Sequence, residues 1–271
     1  MPVAMPTTSK VKDIYLPQPA TILEAELLTE KEKFFKFQLE TDGTFTFMPG
    51  QFMEVSIPGI GGAPISISSS PTRSKDNTIE MEVRHDANMT AALHTLQVRY
   101  RVGLRGPYGP WFPVDRDMLR RDVVFVCGGL GLVPVRSAIH YVLDHRADYE
   151  NITILYGTKR PEDRLFVDEL TEWKARSDIT FLETVDVADR KWSGNVGVIT
   201  ELFSRLQMTR AKTIAIVCGP PIMYRFVLLG LHKLKMKDRY IYVSLERHMR
   251  CAVGKCGRCQ INGVYACQEG A

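Results

Sequence analysis

The sequence predicts a β plus α/β protein, in which an antiparallel β-barrel is followed by a parallel-sheet domain and a small cysteine-rich segment. Between residues 21 and 113, short apolar runs with alternating polarity are separated by turn-forming pairs such as Asp42-Gly43. From residue 122 onward, apolar runs alternate with amphipathic helical segments, which is typical of βαβ units. The predicted boundaries are 16–115, 120–245 and 246–271.

In the first unit, strands are predicted over 35–39, 52–57 and 79–83, with a short helix over 90–97. In the second unit, the apolar runs predict strands over 123–126, 152–156, 179–184, 214–217 and 240–243. The helical segments between them are 134–145, 164–176 and 223–235.

The composition is that of a globular protein with material for two cores. The chain has 271 residues, of which 45% are hydrophobic and 24% charged, and these values exclude disordered and fibrous classes. Lys and Arg total 35 against 31 Asp and Glu, and a net charge of +4 does not indicate a nucleic-acid partner.

The location is predicted from two absences. The longest mostly apolar stretch, 123–135, is interrupted by glycines and a proline and is shorter than the roughly 18 residues of a membrane span. Residues 1–13 lack the apolar region of a secretory signal. We therefore expect a cytoplasmic protein with no membrane span, in which the cysteines are reduced.

Four of the six cysteines, Cys251, Cys256, Cys259 and Cys267, have the spacing C-x4-C-x2-C-x7-C. The C-x4-C-x2-C…C pattern is the plant-type ligation of a [2Fe-2S] cluster, so we predict that these four thiolates are its ligands. A structural zinc site is the alternative, but it usually has two C-x2-C pairs and this chain has one.

The same segment is basic. Residues 247–258 contain four cations and no acidic residue. Cations and N–H groups stabilise an anionic cluster, although a solvated basic face is an equally good interpretation.

A glycine-rich turn, C-G-G-L-G at 127–131, follows the first strand of the second unit and precedes a helix. Glycines there permit a tight turn and a close approach to a diphosphate, which then meets the helix N-terminus. Such a turn without a ligand is the common alternative.

The order of these units, with P-G-Q-F at 49–52 and C-G-P-P at 218–221, resembles the ferredoxin-NADP reductase superfamily. From about residue 20 to 267 the chain is similar to its FAD/[2Fe-2S] electron-transfer subunits. These include sulfhydrogenase gamma subunits, the corresponding subunits of anaerobic sulfite reductases and dihydroorotate dehydrogenase electron-transfer subunits.

The resemblance implies a flavin on the barrel. The family motif R-x-[YF]-[ST] corresponds to residues 63–66, where the serine is retained and Ala63 replaces the arginine. The lost phosphate contact could be supplied by an arginine and a helix start further along the chain. A barrel without a ligand is the alternative from these residues alone. The predicted flavin-binding residues are Pro64, Ile65, Ser66, Arg84, Met89 and Thr90.

In the relatives, the turn at 218–221 lies beside the nicotinamide, which implies that Cys218 is a catalytic thiol near the position of hydride transfer. Cys127 is equally well explained as a packed residue at a strand end. The choice between NAD and NADP stays open, because the cations at 159–164 fit either a 2′-phosphate or an exposed surface. The predicted nucleotide-binding residues are Gly128, Gly129, Gly131, Gly219 and Pro220.

The resemblance thus implies an NAD(P)H-dependent oxidoreductase subunit that carries FAD and a [2Fe-2S] cluster. It would exchange electrons with the catalytic subunit of an anaerobic hetero-oligomer of the hydrogenase, sulfite reductase or heterodisulfide reductase type. A dihydroorotate dehydrogenase electron-transfer subunit and a non-enzymatic, zinc-stapled regulatory module are the alternatives.

Overall fold

The computed structural model describes residues 14–206 and 212–270. Residues 1–13, on which the expectation of no secretory signal rests, lie outside the described residues. None of the described helices combines the length and the apolar character that crossing a bilayer requires.

The first half forms one antiparallel sheet of six strands in the order β4-β3-β6-β1-β2-β5. The backbone N–H of Ser68, just after β4, donates to the carbonyl of Glu80 on β5, so the two ends of the sheet meet. Phe35 and Phe37 of β2 have no exposed surface, because alternate side chains of that strand point into the core. The elements are β1 (Gln18–Leu27), β2 (Glu32–Leu39), β3 (Phe52–Ile57), β4 (Gly61–Ser66), β5 (Thr78–Arg84), α1 (Asn88–Thr95) and β6 (Arg101–Tyr108).

The helix predicted at 90–97 is present as α1, but it starts two residues earlier. The Thr90 hydroxyl accepts a hydrogen bond from the backbone N–H of Ala87 at 2.9 Å. Thr90 therefore caps the first turn from inside the helix and does not begin it.

The second half is a parallel sheet of six strands in the order β10-β9-β8-β7-β11-β12. Every residue of β7 is buried, because helices cover both faces of the sheet. The strands are β7 (Asp122–Gly128), β8 (Ile152–Thr158), β9 (Thr180–Val185), β10 (Asn195–Val196), β11 (Thr213–Cys218) and β12 (Ile241–Ser244). The helices are α2 (Leu132–Asp144), α3 (Val167–Ala175) and α4 (Pro221–Lys233), with 3-10 turns at Gly129–Gly131, Arg146–Asp148, Pro161–Asp163, Ile199–Arg205 and Asp238–Tyr240.

All five strands predicted for this half are present, and the largest difference from prediction is at α3. This helix starts at residue 167 and not at 164, because Phe166 has a left-handed backbone with φ of 52°. A 3-10 turn over Pro161–Asp163 precedes it.

The cysteine segment folds against the barrel. Its short strands β13 (Gln260–Ile261) and β14 (Val264–Tyr265) pair, and α5 (Ala266–Glu269) follows. Phe52 of β3 is the barrel residue in its small core, so this segment depends on the barrel for burial. The core members are Phe52, Ala252, Cys259, Ala266 and Cys267.

A buried cation joins the two sheets. Arg136 of α2 is 6% exposed, and its Nη1 donates to Glu80 of β5 at 2.7 Å. Its Nε donates to Glu169 of α3 at 2.9 Å. Beside it, the hydroxyl of Ser137 donates to the carbonyl of Ser69 at 2.6 Å.

Glu82 of β5 is buried in the same network. The Ser68 hydroxyl donates to one carboxyl oxygen at 3.0 Å, while the other oxygen has no hydrogen-bond partner among the described residues. Burial raises the pKa of Glu82 to about 8, against a smaller lowering by Arg136. Glu82 therefore holds a proton at neutral pH.

Replacing Arg136 with methionine is expected to lower the free energy of unfolding by about 3–5 kcal/mol, because it leaves the carboxylates of Glu80 and Glu169 without their buried partner. Arg73→Ala is the matched control, since Arg73 also links the two halves through Asp144 but is 45% exposed. It should cost no more than about 1 kcal/mol. Equal losses in urea unfolding would contradict the role given to Arg136.

Stability should also fall with rising pH through Glu82. Its folded pKa of about 8 exceeds the ordinary 4.5, so its contribution is complete below 4.5 and is lost as the pH rises through 8. Glu82→Gln does not titrate and should remove this loss. Urea midpoints of both proteins across a pH series test this, and the two would show the same pH dependence if Glu82 were ionised when folded.

Candidate functional site

Two glycine turns meet at the carboxyl edge of the parallel sheet. Cys127 and Cys218 are register partners at the ends of β7 and β11, so the turns that follow them are neighbours. A Cβ on Gly131 would lie 2.3 Å from the carbonyl oxygen of Cys218, and one on Gly219 would lie 3.2 Å from the Cα of Gly128. Only glycine permits this backbone contact, so the structure brings together the residues predicted from the two turns.

Gly129 differs from its neighbours. Its φ is +52°, and a Cβ there would meet no atom within 4 Å. The residue leads through a 3-10 turn into the N-terminus of α2. Open space beside a helix N-terminus suits a diphosphate, which the free N–H groups and the helix dipole would stabilise.

Cys218 lies at this edge as a neutral thiol. It is 5% exposed, and burial raises its pKa to about 11 in spite of hydrogen bonds to Ser244 and Tyr224. The Tyr224 hydroxyl also accepts the N–H of Gly219 at 3.1 Å and donates to the Ser244 carbonyl. Cys218 is therefore protonated and packs beside the turn, and its predicted catalytic role near the nicotinamide stays a prediction. Cys127 is buried in the core of the sheet.

The predicted flavin strand is β4, which pairs with β3 so that Ser66 is opposite Phe52. Pro64, Ile65 and Ser66 are partly exposed, and Ile65 also packs against the barrel core. Two residues further on, Ser68 contacts Arg136 of α2, with 3.4 Å between its hydroxyl and Nη1. The segment that follows the flavin strand is therefore bonded to α2, the helix that follows the first glycine turn.

The three remaining flavin predictions have other contacts. Arg84 is paired with Glu32 at 2.6 Å, which neutralises the charge that a phosphate would use. The Thr90 hydroxyl is engaged at the start of α1. Met89 is 8% exposed in the barrel core, so its side chain faces away from solvent. A flavin phosphate role for these residues stays a prediction.

Three of the four predicted cluster ligands lie in the loop before β13, the fourth, Cys267, lies in α5, and the four form two pairs. The Cys256 thiol donates to the Cys251 sulfur, and the Cys267 thiol donates to the Cys259 sulfur. Four cysteines bind a [2Fe-2S] cluster two to each iron, which is the arrangement that these pairs fit. In the described part of the chain, no group of three or more His, Cys, Asp and Glu side chains is drawn together to hold a single ion.

Backbone N–H groups surround these sulfurs. The Cys251 sulfur accepts from Lys255 and Cys256, each at 3.4 Å, and the Cys267 sulfur accepts from Gly254 at 3.2 Å. Although burial raises the pKa of Cys251, these donors lower it to about 7. Gly254, with φ of +71°, supplies the left-handed backbone that turns its N–H inward.

Two groups near the cysteine loop were not predicted from the sequence. Arg105 of β6 reaches the carbonyls of Arg250 and Cys251, each at 3.5 Å. Glu54 of β3 is 5% exposed, and burial raises its pKa to about 7 while Arg105 lowers it. The sequence offered one signal for Glu54, which is the position of its carboxylate within the apolar run F-M-E-V.

Comparison with known proteins agrees with this geometry. Residues 19–112 match the family described as an oxidoreductase FAD-binding domain, and residues 125–228 match an oxidoreductase NAD-binding domain. The barrel is therefore an FAD-binding domain, and the parallel sheet is an NAD-binding domain.

The chain is 37% identical to sulfhydrogenase 2 subunit gamma of Pyrococcus furiosus, over 94% of each chain. It is 28% identical to a probable dihydroorotate dehydrogenase B (NAD(+)) electron transfer subunit of Methanocaldococcus jannaschii, over 90% of this chain and 85% of that one. The fold is shared with the structure of an NADH-dependent reduced ferredoxin-NADP oxidoreductase, with a TM-score of 0.74 at 22% identity over 94% of this chain and 86% of that one. The chain belongs to the ferredoxin-NADP reductase superfamily of FAD- and NAD-binding oxidoreductases, in the branch of the sulfhydrogenase gamma subunits.

Proposed function

We propose that the chain is the electron-transfer subunit of a multisubunit oxidoreductase and moves electrons between NAD(P)H and a partner catalytic subunit. The observation that carries this proposal is the position of the cysteine loop. Phe52 of β3 is opposite Ser66 of the flavin strand and also packs in the core that contains Cys259 and Cys267. One barrel strand thus supports the flavin site on one side and the cysteine loop on the other.

When bound, FAD exchanges a hydride with the nicotinamide and exchanges single electrons with the [2Fe-2S] cluster. The residues of the chain bind and orient these groups. The backbone of 128–131 would hold the diphosphate of the nucleotide, and the buried turn at Cys218 and Gly219 would limit water around the nicotinamide. On the barrel, Pro64 and Ile65 would cover the flavin ring with apolar surface beside the Ser66 hydroxyl.

The cysteine loop would stabilise a cluster through the N–H groups of Gly254, Lys255 and Cys256. The exposed cations Arg250, Lys255 and Arg258 surround it. They would offset the negative charge of a four-thiolate centre and orient an acidic partner surface.

The partner is of the hydrogenase type. This proposal rests on 37% and 36% identity to two sulfhydrogenase gamma subunits, against 28% or less for the dihydroorotate dehydrogenase electron transfer subunits. The latter define the second candidate, and sulfite and heterodisulfide reductase partners share the same chemistry. The six described cysteines are free, which supports a reducing compartment such as the cytoplasm.

Replacing any one of Cys251, Cys256, Cys259 and Cys267 with alanine is expected to abolish or alter the cluster, because each supplies one of four ligands. Iron, acid-labile sulfide and the visible and EPR spectra of anaerobically purified protein test this. Cys127→Ala is the control, since that thiol is buried in the second sheet, and it should retain full iron. Zinc in place of iron, or unchanged spectra in all four variants, would refute the assignment.

Asparagine at Gly129 is expected to slow flavin reduction by NAD(P)H at least about tenfold while sparing reduction by dithionite. Asparagine tolerates the left-handed backbone, but its side chain enters the open space assigned to the diphosphate. Stopped-flow absorbance of the flavin measures both rates. Gly59→Asn is the matched control, because Gly59 has φ of +80° and no atom within 4 Å of its added Cβ. A G129N rate equal to the control would overturn the assignment.

A further inference from the structure

One face of α4 carries exposed apolar side chains. Ile222, Phe226 and Leu229 are 64%, 53% and 51% exposed. Their spacing of four and three residues places them on one side of the helix. The opposite side, which includes Val227 and Leu231, is buried against the second sheet. The helix is therefore apolar on two faces, of which only one is covered within the described residues.

Single exposed apolar residues are ordinary, but three in a row along a helix are not. Contiguous exposed apolar surface marks interaction sites in soluble proteins. Because Val227 and Leu231 already anchor the helix, Ile222, Phe226 and Leu229 are not needed to hold α4 in place. We refer to these three residues as the α4 stripe.

The positive charge around the stripe indicates the chemistry of the surface that would bind there. Between residues 221 and 237 there is no acidic residue, and four cations are exposed there. Arg225 lies beside the stripe on the helix surface. Lys233 lies one turn after Leu229 on the same side of the helix. A complementary surface has an apolar centre and an acidic rim. The cations are Arg225, Lys233, Lys235 and Lys237.

The position of α4 connects it to the redox site. The helix begins directly after Pro220, in the glycine turn that follows Cys218. Tyr224, on its first turn, accepts the N–H of Gly219 and donates to the carbonyl of Ser244, after which the cysteine segment begins. A molecule seated on α4 would be fixed relative to both sites.

We propose that the α4 stripe is a docking site for a protein subunit of the same oxidoreductase complex, which presents an apolar patch rimmed by Asp and Glu. This inference rests on the proposed function, because an electron-transfer subunit requires a bound partner. A second copy of this chain would place the basic rims against each other, so like charges disfavour that occupant.

The test compares tagged full-length chains purified anaerobically from the native host. Phe226→Glu and Leu229→Glu place a charge on the stripe, and Leu27→Glu is the control at a residue 68% exposed on the barrel. Native mass spectrometry gives the complex composition. Kd is then measured for each chain with the subunits recovered from the wild-type complex. We expect the stripe variants to bind at least about tenfold more weakly, with unchanged FAD content, iron content and NAD(P)H-dependent flavin reduction.

A second variant, Arg225→Glu with Lys233→Glu, tests the charged rim. It should weaken binding and reduce its dependence on salt. Stripe variants that bind like Leu27→Glu would overturn the docking site and leave the proposed function intact. So would sedimentation showing that the stripe joins two copies, or flotation of the wild-type chain with anionic vesicles that Phe226→Glu abolishes. If the stripe variants bind more weakly but no subunit of the recovered complex contains a redox centre, the docking site stands and the proposed function fails.

Discussion

The buried guanidinium of Arg136 sets the geometry on which the site depends. It lies on α2, the helix that follows the glycine turn at 128–131. Its hydrogen-bond partners are Glu80 of the barrel, Glu169 of α3 and Ser68, which lies two residues after the flavin strand. Burial opposes its charge, but the Glu169 carboxylate raises the pKa of Arg136, so the cation is retained. A buried ion pair contributes little net stability, yet it is costly to break. Here the ion pairs link the FAD-binding domain to the NAD-binding domain through Glu80 and Glu169.

The sequence predicted those features that arise from local pattern. Alternating polarity in β2 and continuous apolar character in β7 separate a sheet with one buried face from a sheet covered on both faces. The glycines at 128–131 predicted a tight turn after β7, and the structure has a 3-10 turn there that packs Gly131 against the backbone of Cys218. The four cysteines lie within 17 consecutive residues, so their spacing could be interpreted without knowledge of the fold.

Contacts between distant segments were not predictable in this way. The sequence does not show that β2 brings Glu32 opposite Arg84, or that the barrel core encloses Met89. Arg136 lies among the mostly apolar residues of α2, where a charge indicates a buried partner but does not identify it. The partners are 56 residues before it and 33 after it in the chain. Only the packing of three elements reveals the network.

The cysteine segment depends on the barrel for its burial. Its core has five residues, of which two are the cysteines Cys259 and Cys267, so apolar burial within the segment is small. Metal ligation couples to folding where an apolar core is insufficient. The barrel supplies the rest through Phe52 and through Arg105, which bonds two carbonyls of the loop. Because Phe52 is also the register partner of Ser66, the contacts that order the loop fix its position relative to the flavin strand. The fold therefore joins the flavin and cluster positions of the proposed electron path through β3.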